Sequence, residues 1–156
     1  MFGGLRSFLI GYHNPIVHGY FVTKAYKEIF GHYPNSRKFI CILLHDIGYV
    51  LQSNSNESEA KDVHPLLGAK ICGFLFGYQY YFFCIGHSRA YAKKVNVCIS
   101  DLCYADKYSI LLISWKIHRL IYLLDSPQVT LEIVIAFRES CKKWWEENGW
   151  TNLKEV

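Results

Sequence analysis

The dipeptide His45-Asp46 closes an apolar run, Phe39-Ile40-Cys41-Ile42-Leu43-Leu44. A charge at the end of such a run is costly to bury unless it is paired or bound to a cation. Imidazole and carboxylate together suit borderline transition metals such as iron, manganese or zinc, and they suit calcium poorly. Alone, the dipeptide would read as a helix cap with a surface aspartate. It has company, however: His18, then His45-Asp46, then His64-Pro65-x-x-Gly68, then His87, then Ala105-Asp106, at intervals of 27, 19, 23 and 19 residues. Each interval is about one helix and a turn. Each candidate ligand can therefore project from a different helix into one cavity, as in metal centres of helical bundles.

The intervening segments carry helical signals. Residues 18–30 place Phe21, Val22, Ala25, Tyr26 and Ile29 on a 3.6-residue period. Gly31 and the turn Pro34-Asn35-Ser36 stop that helix. Residues 37–45 are apolar nearly all round, which predicts a helix at the centre of the domain. Gly48 follows, where a helix end favours a left-handed residue. The polar stretch 52–62 predicts a loop. His64-Pro65 opens a new helix with proline at a tolerated early position, and Gly77 breaks it after Phe76. An aromatic and apolar segment, 78–85, then leads to His87. Residues 95–115 are strongly apolar, with Asp101 and Asp106 set among them. Residues 129–145 pattern as an amphipathic helix. The expected fold is all-α: a compact single-domain helical bundle over residues 1–156, with five or six helices around segment 37–45 and the helix at 129–147 packed on the core.

Composition agrees with one core. Hydrophobic residues make up 51% of the chain and charged residues 19%, which argues against disorder. The net charge of +4 favours encounter with anions. No run of five basic residues occurs, so a broad groove for long nucleic acid is not expected. The six cysteines mostly sit in apolar runs and form no CxxC pair, so they read as small buried hydrophobes in a reducing compartment rather than as a thiolate zinc site. The longest apolar stretch is interrupted by Gly73, Gly77 and Gln79, and the first ten residues lack a cleavable leader pattern. The chain is expected to be soluble and cytoplasmic, with no membrane partner.

Five pieces of this sequence, taken in order, resemble the HD superfamily of metal-dependent phosphohydrolases. Leu44-His45-Asp46-Ile47-Gly48 resembles its central motif, and His18 with Val22 resembles the start of its first helix. His64-Pro65-Leu66-Leu67-Gly68-Ala69-Lys70-Ile71 is similar to the HPxxGxxI segment of two-metal members. Ile85-Gly86-His87 and Tyr104-Ala105-Asp106-Lys107-Tyr108 resemble the next histidine site and the closing ADxxx segment. The resemblance covers about residues 16–112, and the ordered set is more specific than any one piece. Small bacterial hydrolases of diadenosine tetraphosphate match it in size. Cyclic dinucleotide phosphodiesterases share the HPxxG segment, but they carry two adjacent histidines where this chain has His87, and a GYP motif that it lacks. Tyr49 stands where such sequences often have lysine.

The resemblance implies roles. His18, His45, Asp46 and Asp106 would hold a first divalent transition metal, iron or manganese among others. His64 and His87 would hold a second, with Asp46 bridging. The implied reaction is attack of a metal-bound hydroxide on a phosphoester or phosphoanhydride of a small phosphorylated substrate, a nucleotide or dinucleotide, with Asp46 and His45 central to catalysis. Lys70, Arg89, Lys93 and Lys107 are candidates to meet outer phosphates, against the plain reading of surface bases. The rival class is a catalytically weak regulatory or nucleotide-binding protein of the same fold. The six filled ligand positions favour an enzyme.

Other polar residues have simpler readings. His13 competes with His18 as first ligand, and the helical pattern after His18 favours His18. His32 follows Gly31 in a turn and reads as solvated. His118, in the basic string Lys116-Ile117-His118-Arg119, reads as surface. Asp101 reads as a residue orienting a ligand histidine or as a helix cap. Trp144, Trp145 and Trp150 beside Lys142 and Lys143 read as packing of the last helix, with a base-stacking surface as the alternative.

Overall fold

The computed structural model describes residues 3–51, 63–125 and 130–149, so the predicted loop 52–62, Val129 and Trp150 lie outside the described residues. Among those described, nine α-helices and no strand occur. They are α1 (Gly3–Ile10), α2 (Pro15–Phe30), α3 (Ser36–Leu44), a 3₁₀ turn (Ile47–Leu51), α4 (Pro65–Phe76), α5 (Tyr78–Ile85), α6 (Arg89–Lys94), α7 (Asp101–Leu112), α8 (Trp115–Asp125) and α9 (Leu131–Asn148). The all-α expectation is met.

Local chemistry sets the helix ends. Asn14 caps α2 through its side-chain oxygen, which accepts from the Ile16 and Val17 amides at 3.0 Å each, and Pro15 occupies the first helical position. Gly31 closes α2 at φ 77°, a left-handed conformation that glycine takes at little cost. Asn35 caps α3 by accepting from the Lys38 amide at 2.8 Å. Gly77, at φ 98°, separates α4 from α5 and lets the two helices fold back on each other.

The core differs from the expected one in its centre. α7 is the most enclosed helix: Leu102, Cys103, Tyr104, Ala105, Asp106, Ser109 and Ile110 are buried, and it packs between α2 and α9. In α3 only Cys41 and Ile42 are buried, while Phe39 and Ile40 are 40% and 36% exposed. Six consecutive apolar residues point in every direction around a helix, but among the described residues α3 packs on α2, α4 and α5 and leaves the side of Phe39 and Ile40 open. The main cluster joins Val22, Tyr26, Ile42, Phe83, Ile85 and Leu102 from α2, α3, α5 and α7.

A second, smaller cluster gathers Tyr12, Ile110 and Cys141. Here the surface reading of His118 fails. The residue is 0% exposed, its ring 5.5 Å from Tyr12 and 5.0 Å from Tyr122 between centroids. One residue of the basic string turns inward because successive helix positions differ by about 100°. Arg138 closes this cluster by donating to the carbonyls of Ile110 (2.8 Å) and Ile113 (2.7 Å) at the end of α7. Trp145 is buried on Tyr108 with centroids 4.7 Å apart, so the last helix packs on the core as expected.

Candidate metal centre

Asp46 stands at the turn that leaves α3, and its carboxylate is surrounded by the four histidines singled out in the sequence, with a fifth ring, His13, at 4.0 Å. On the Oδ2 side lie His45 Nε2 at 3.3 Å and His18 Nε2 at 3.7 Å. On the Oδ1 side lie His87 Nε2 at 3.3 Å and His64 Nε2 at 3.5 Å. Asp106 completes the group, its Oδ1 3.0 Å from His18 Nε2. All six residues are buried; ligand atoms of His18, His45 and Asp106 lie within 4.8 Å of one another, as do those of His45, Asp46 and His87, and His64 adjoins the second group through His87.

Different elements deliver these side chains. His18 begins the buried stripe of α2, followed by Val22, Ala25 and Tyr26. His45 follows the last residue of α3, His64 precedes α4, His87 follows α5, and Asp106 sits in the middle of α7. Two glycines allow the close approach of α3 and α4. A Cβ on Gly48 would collide with the backbone carbonyl of His64, and one on Gly68 with the carbonyl of Leu44. The sequence reading assigned Gly48 a left-handed conformation. Its φ is not positive, and the residue is needed for space instead.

Hydrogen bonding fixes which nitrogen faces the carboxylates. His45 Nδ1 lies 2.6 Å from the Ile42 carbonyl, and His87 Nδ1 lies 2.5 Å from the Cys84 carbonyl. A carbonyl only accepts, so both rings donate from Nδ1. In the neutral rings the Nε2 lone pairs therefore point into the cluster, the arrangement typical of metal-ligating histidine. His45 Nε2 and both ring nitrogens of His18 make no hydrogen bond. His18 Nε2 nonetheless lies 3.0 Å from Asp106 Oδ1. His64 and His87 bring their Nε2 atoms to 2.9 Å. Unpartnered nitrogens and crowded carboxylates in a buried space fit a cation at their centre.

Electrostatics agree. Burial works against the charged carboxylates of Asp46 and Asp106, but His45 for the first and Lys107 for the second outweigh it and hold both well below the usual range. Burial lowers His45, yet the Asp46 carboxylate carries it to about 9. Burial lowers His87 and takes His13 down to about 4.

Compared with family models, with curated proteins and with solved structures, the chain matches none. The assignment of the centre therefore stands on its geometry.

The four basic candidates divide. Lys107 touches the cluster, its Nζ 2.5 Å from Asp106 Oδ2, and that carboxylate raises it despite burial. Arg89 is exposed and lies over the Trp144 ring at 4.9 Å. Lys93 is an exposed residue of α6. Lys70 lines a cleft of about 610 Å³ with Phe74, Tyr78 and Phe82, and none of the six ligand-type residues lines that cleft. Asp101 neither orients a histidine nor caps α7 by a side-chain bond. It pairs with Lys38 at 2.9 Å and ties α7 to α3. His32 is exposed, as expected.

Two residues near the centre were undervalued in the sequence. His13 is half-buried with Nε2 4.0 Å from Asp46 Oδ2 and Nδ1 2.7 Å from Ser7 Oγ. Tyr49 is 5% exposed and stacks on His64 (4.4 Å, 11°) while its other neighbour is the His13 ring at 3.9 Å. The position where a lysine was expected thus holds an aromatic wall against a ligand histidine. An aromatic two residues after the His45-Asp46-Ile47 turn was the only available signal.

Proposed function

We propose that this chain is a metal-dependent phosphohydrolase of the HD type, acting on a phosphoester or phosphoanhydride of a nucleotide or dinucleotide. One observation carries the reading: the two oxygens of Asp46 face different histidines, His18 and His45 on the Oδ2 side with His13 slightly farther off, His64 and His87 on the Oδ1 side. A carboxylate so divided is suited to bridge two cations. His18, His45, Asp106 and Asp46 would hold the first, and His64, His87 and Asp46 the second. The bound ions would supply Lewis acidity that makes water a stronger acid and offsets charge on phosphoryl oxygens.

The chain's own residues have clear tasks. The carbonyls of Ile42 and Cys84 hold two rings in register. Lys107 holds Asp106 and keeps a positive charge at the edge of the centre. The Tyr49 ring walls off His64. In hydrolysis a water oxygen forms a bond to phosphorus, the bond to the leaving oxygen breaks, and the water proton ends on solvent or product. No residue need become covalently attached.

The test is a panel of mononucleotides, dinucleoside polyphosphates and cyclic dinucleotides, assayed with protein reconstituted with Mn²⁺ or Fe²⁺. Turnover that chelator abolishes and metal restores is expected. Metal binding with no hydrolysis of any of them would leave the regulatory reading in its place.

A further inference from the structure

Beneath the His/Asp centre, three buried cysteines meet. Cys41, Cys72 and Cys84 are free thiols, each 0% exposed, and their sulfurs all lie within 4.8 Å of one another. They come from α3, α4 and α5, the helices next to which His45, His64 and His87 stand. Cys41 is one helical turn before His45, and the carbonyl of Cys84 receives the His87 ring N–H. Nothing in the spacing announces the trio, because the three are 31 and 12 residues apart and form no CxxC pair.

We propose that these three thiols form a second metal site of opposite character, selective for a soft cation in three-coordinate, all-sulfur geometry, with monovalent copper as the ion that fits. The donor chemistry separates the two sites. Thiolates favour Cu(I) and zinc, whereas imidazole and carboxylate favour harder or borderline ions. Structural zinc takes four ligands in a tetrahedron. Here the group is all sulfur and belongs to the main apolar cluster together with Val22, Ile42, Ala69 and Ile85, with no fourth donor in the group among the described residues. A three-coordinate preference therefore decides for copper over zinc. In binding, Cu⁺ forms three Cu–S bonds, two S–H bonds break, two protons leave to solvent and one sulfur keeps its proton. Copper enters already monovalent, so no electron moves. Closed burial makes loading slow, since α3, α4 and α5 must part to admit the ion.

The experiment uses the full chain, purified metal-free under anaerobic reducing conditions, with Cu⁺ presented in competition with bicinchoninate. One Cu⁺ per chain is expected, with X-ray absorption showing sulfur neighbours and no nitrogen. Cys72→Ala should lose this ion while circular dichroism keeps the parent's helicity. Cd²⁺ bound to the unmutated chain and observed by ¹¹³Cd NMR reads sulfur ligation without any variant, should Cys72→Ala fail to fold. Asp46→Ala should lose Mn²⁺ and keep Cu⁺, which separates failure of this proposal from failure of the phosphohydrolase reading. Nitrogen neighbours around copper, undiminished copper in folded Cys72→Ala, or no Cu⁺ retained against the chelator would overturn it.

Discussion

The Nε2 atom of His45 lies 3.3 Å from the Asp46 carboxylate and makes no hydrogen bond there, although its ring is fixed by the Ile42 carbonyl on the other side. A ring that is aimed but not satisfied could take a cation. Without one, Asp46 holds the ring's pKa at about 9 against the effect of burial.

Metal binding should therefore expel a proton from His45. Proton and metal compete for the same nitrogen, so apparent affinity should rise with pH by about tenfold per unit from neutrality to about 9, then level off. Calorimetric Mn²⁺ titrations in buffers of different ionisation enthalpy measure the released proton. An affinity flat across that range would show that His45 is not displaced.

Asp46 should matter more than any terminal ligand, because it faces both histidine pairs. Asp46→Ala is expected to lower turnover by ~10³ or more, equivalent to several kcal/mol of barrier. His87→Ala should cost less. Elemental analysis should find both ions lost in the first variant and one retained in the second. Thermal melting keeps the comparison among folded proteins.

Gly48→Ala tests the approach of His64. The new methyl meets the His64 carbonyl, a backbone atom that cannot swing aside. We expect a loss of about 1–3 kcal/mol in stability, the range for overpacking, and a weaker second metal. Denaturant unfolding and metal stoichiometry read the two effects separately.

His118 should make the fold acid-sensitive. Burial lowers it from 6.5 to about 4 in the native chain. Between those values the unfolded chain binds more protons, so stability is full above about 6.5 and falls as pH drops towards 4, by roughly 2–3 kcal/mol. His118→Phe, which keeps an aromatic ring beside Tyr12 and Tyr122, should flatten that slope in urea melts at several pH values. His13 shifts in the same direction, so part of the slope should survive.

The clustering of the six His and Asp residues was legible because each ends or interrupts an apolar segment, and such residues are expensive to bury without purpose. α2, α3 and α4 were legible from periodicity and from Gly31, Pro65 and Gly77. α1 was not, since eight residues starting at Gly3-Gly4 give too few turns to show a period. The placement of α3 at the centre came from composition, and composition does not say how many neighbours a helix has. His118 was hidden by its basic neighbours in sequence. The thiol trio and the stacking of Tyr49 between His13 and His64 depend on how separate helices meet, which no spacing within one segment encodes.

The two histidine rings that lead into the centre are steered by Ile42 and Cys84 through main-chain oxygens. A carbonyl stays in place whatever side chain its residue carries. The aim of these ligands is thus inherited with the ends of α3 and α5, and substitutions at positions 42 and 84 leave it untouched as long as those ends persist. Genetic drift around the centre can change its packing without turning its ligands away. What it cannot change cheaply are the six clustered His and Asp side chains themselves and the glycines that give them room.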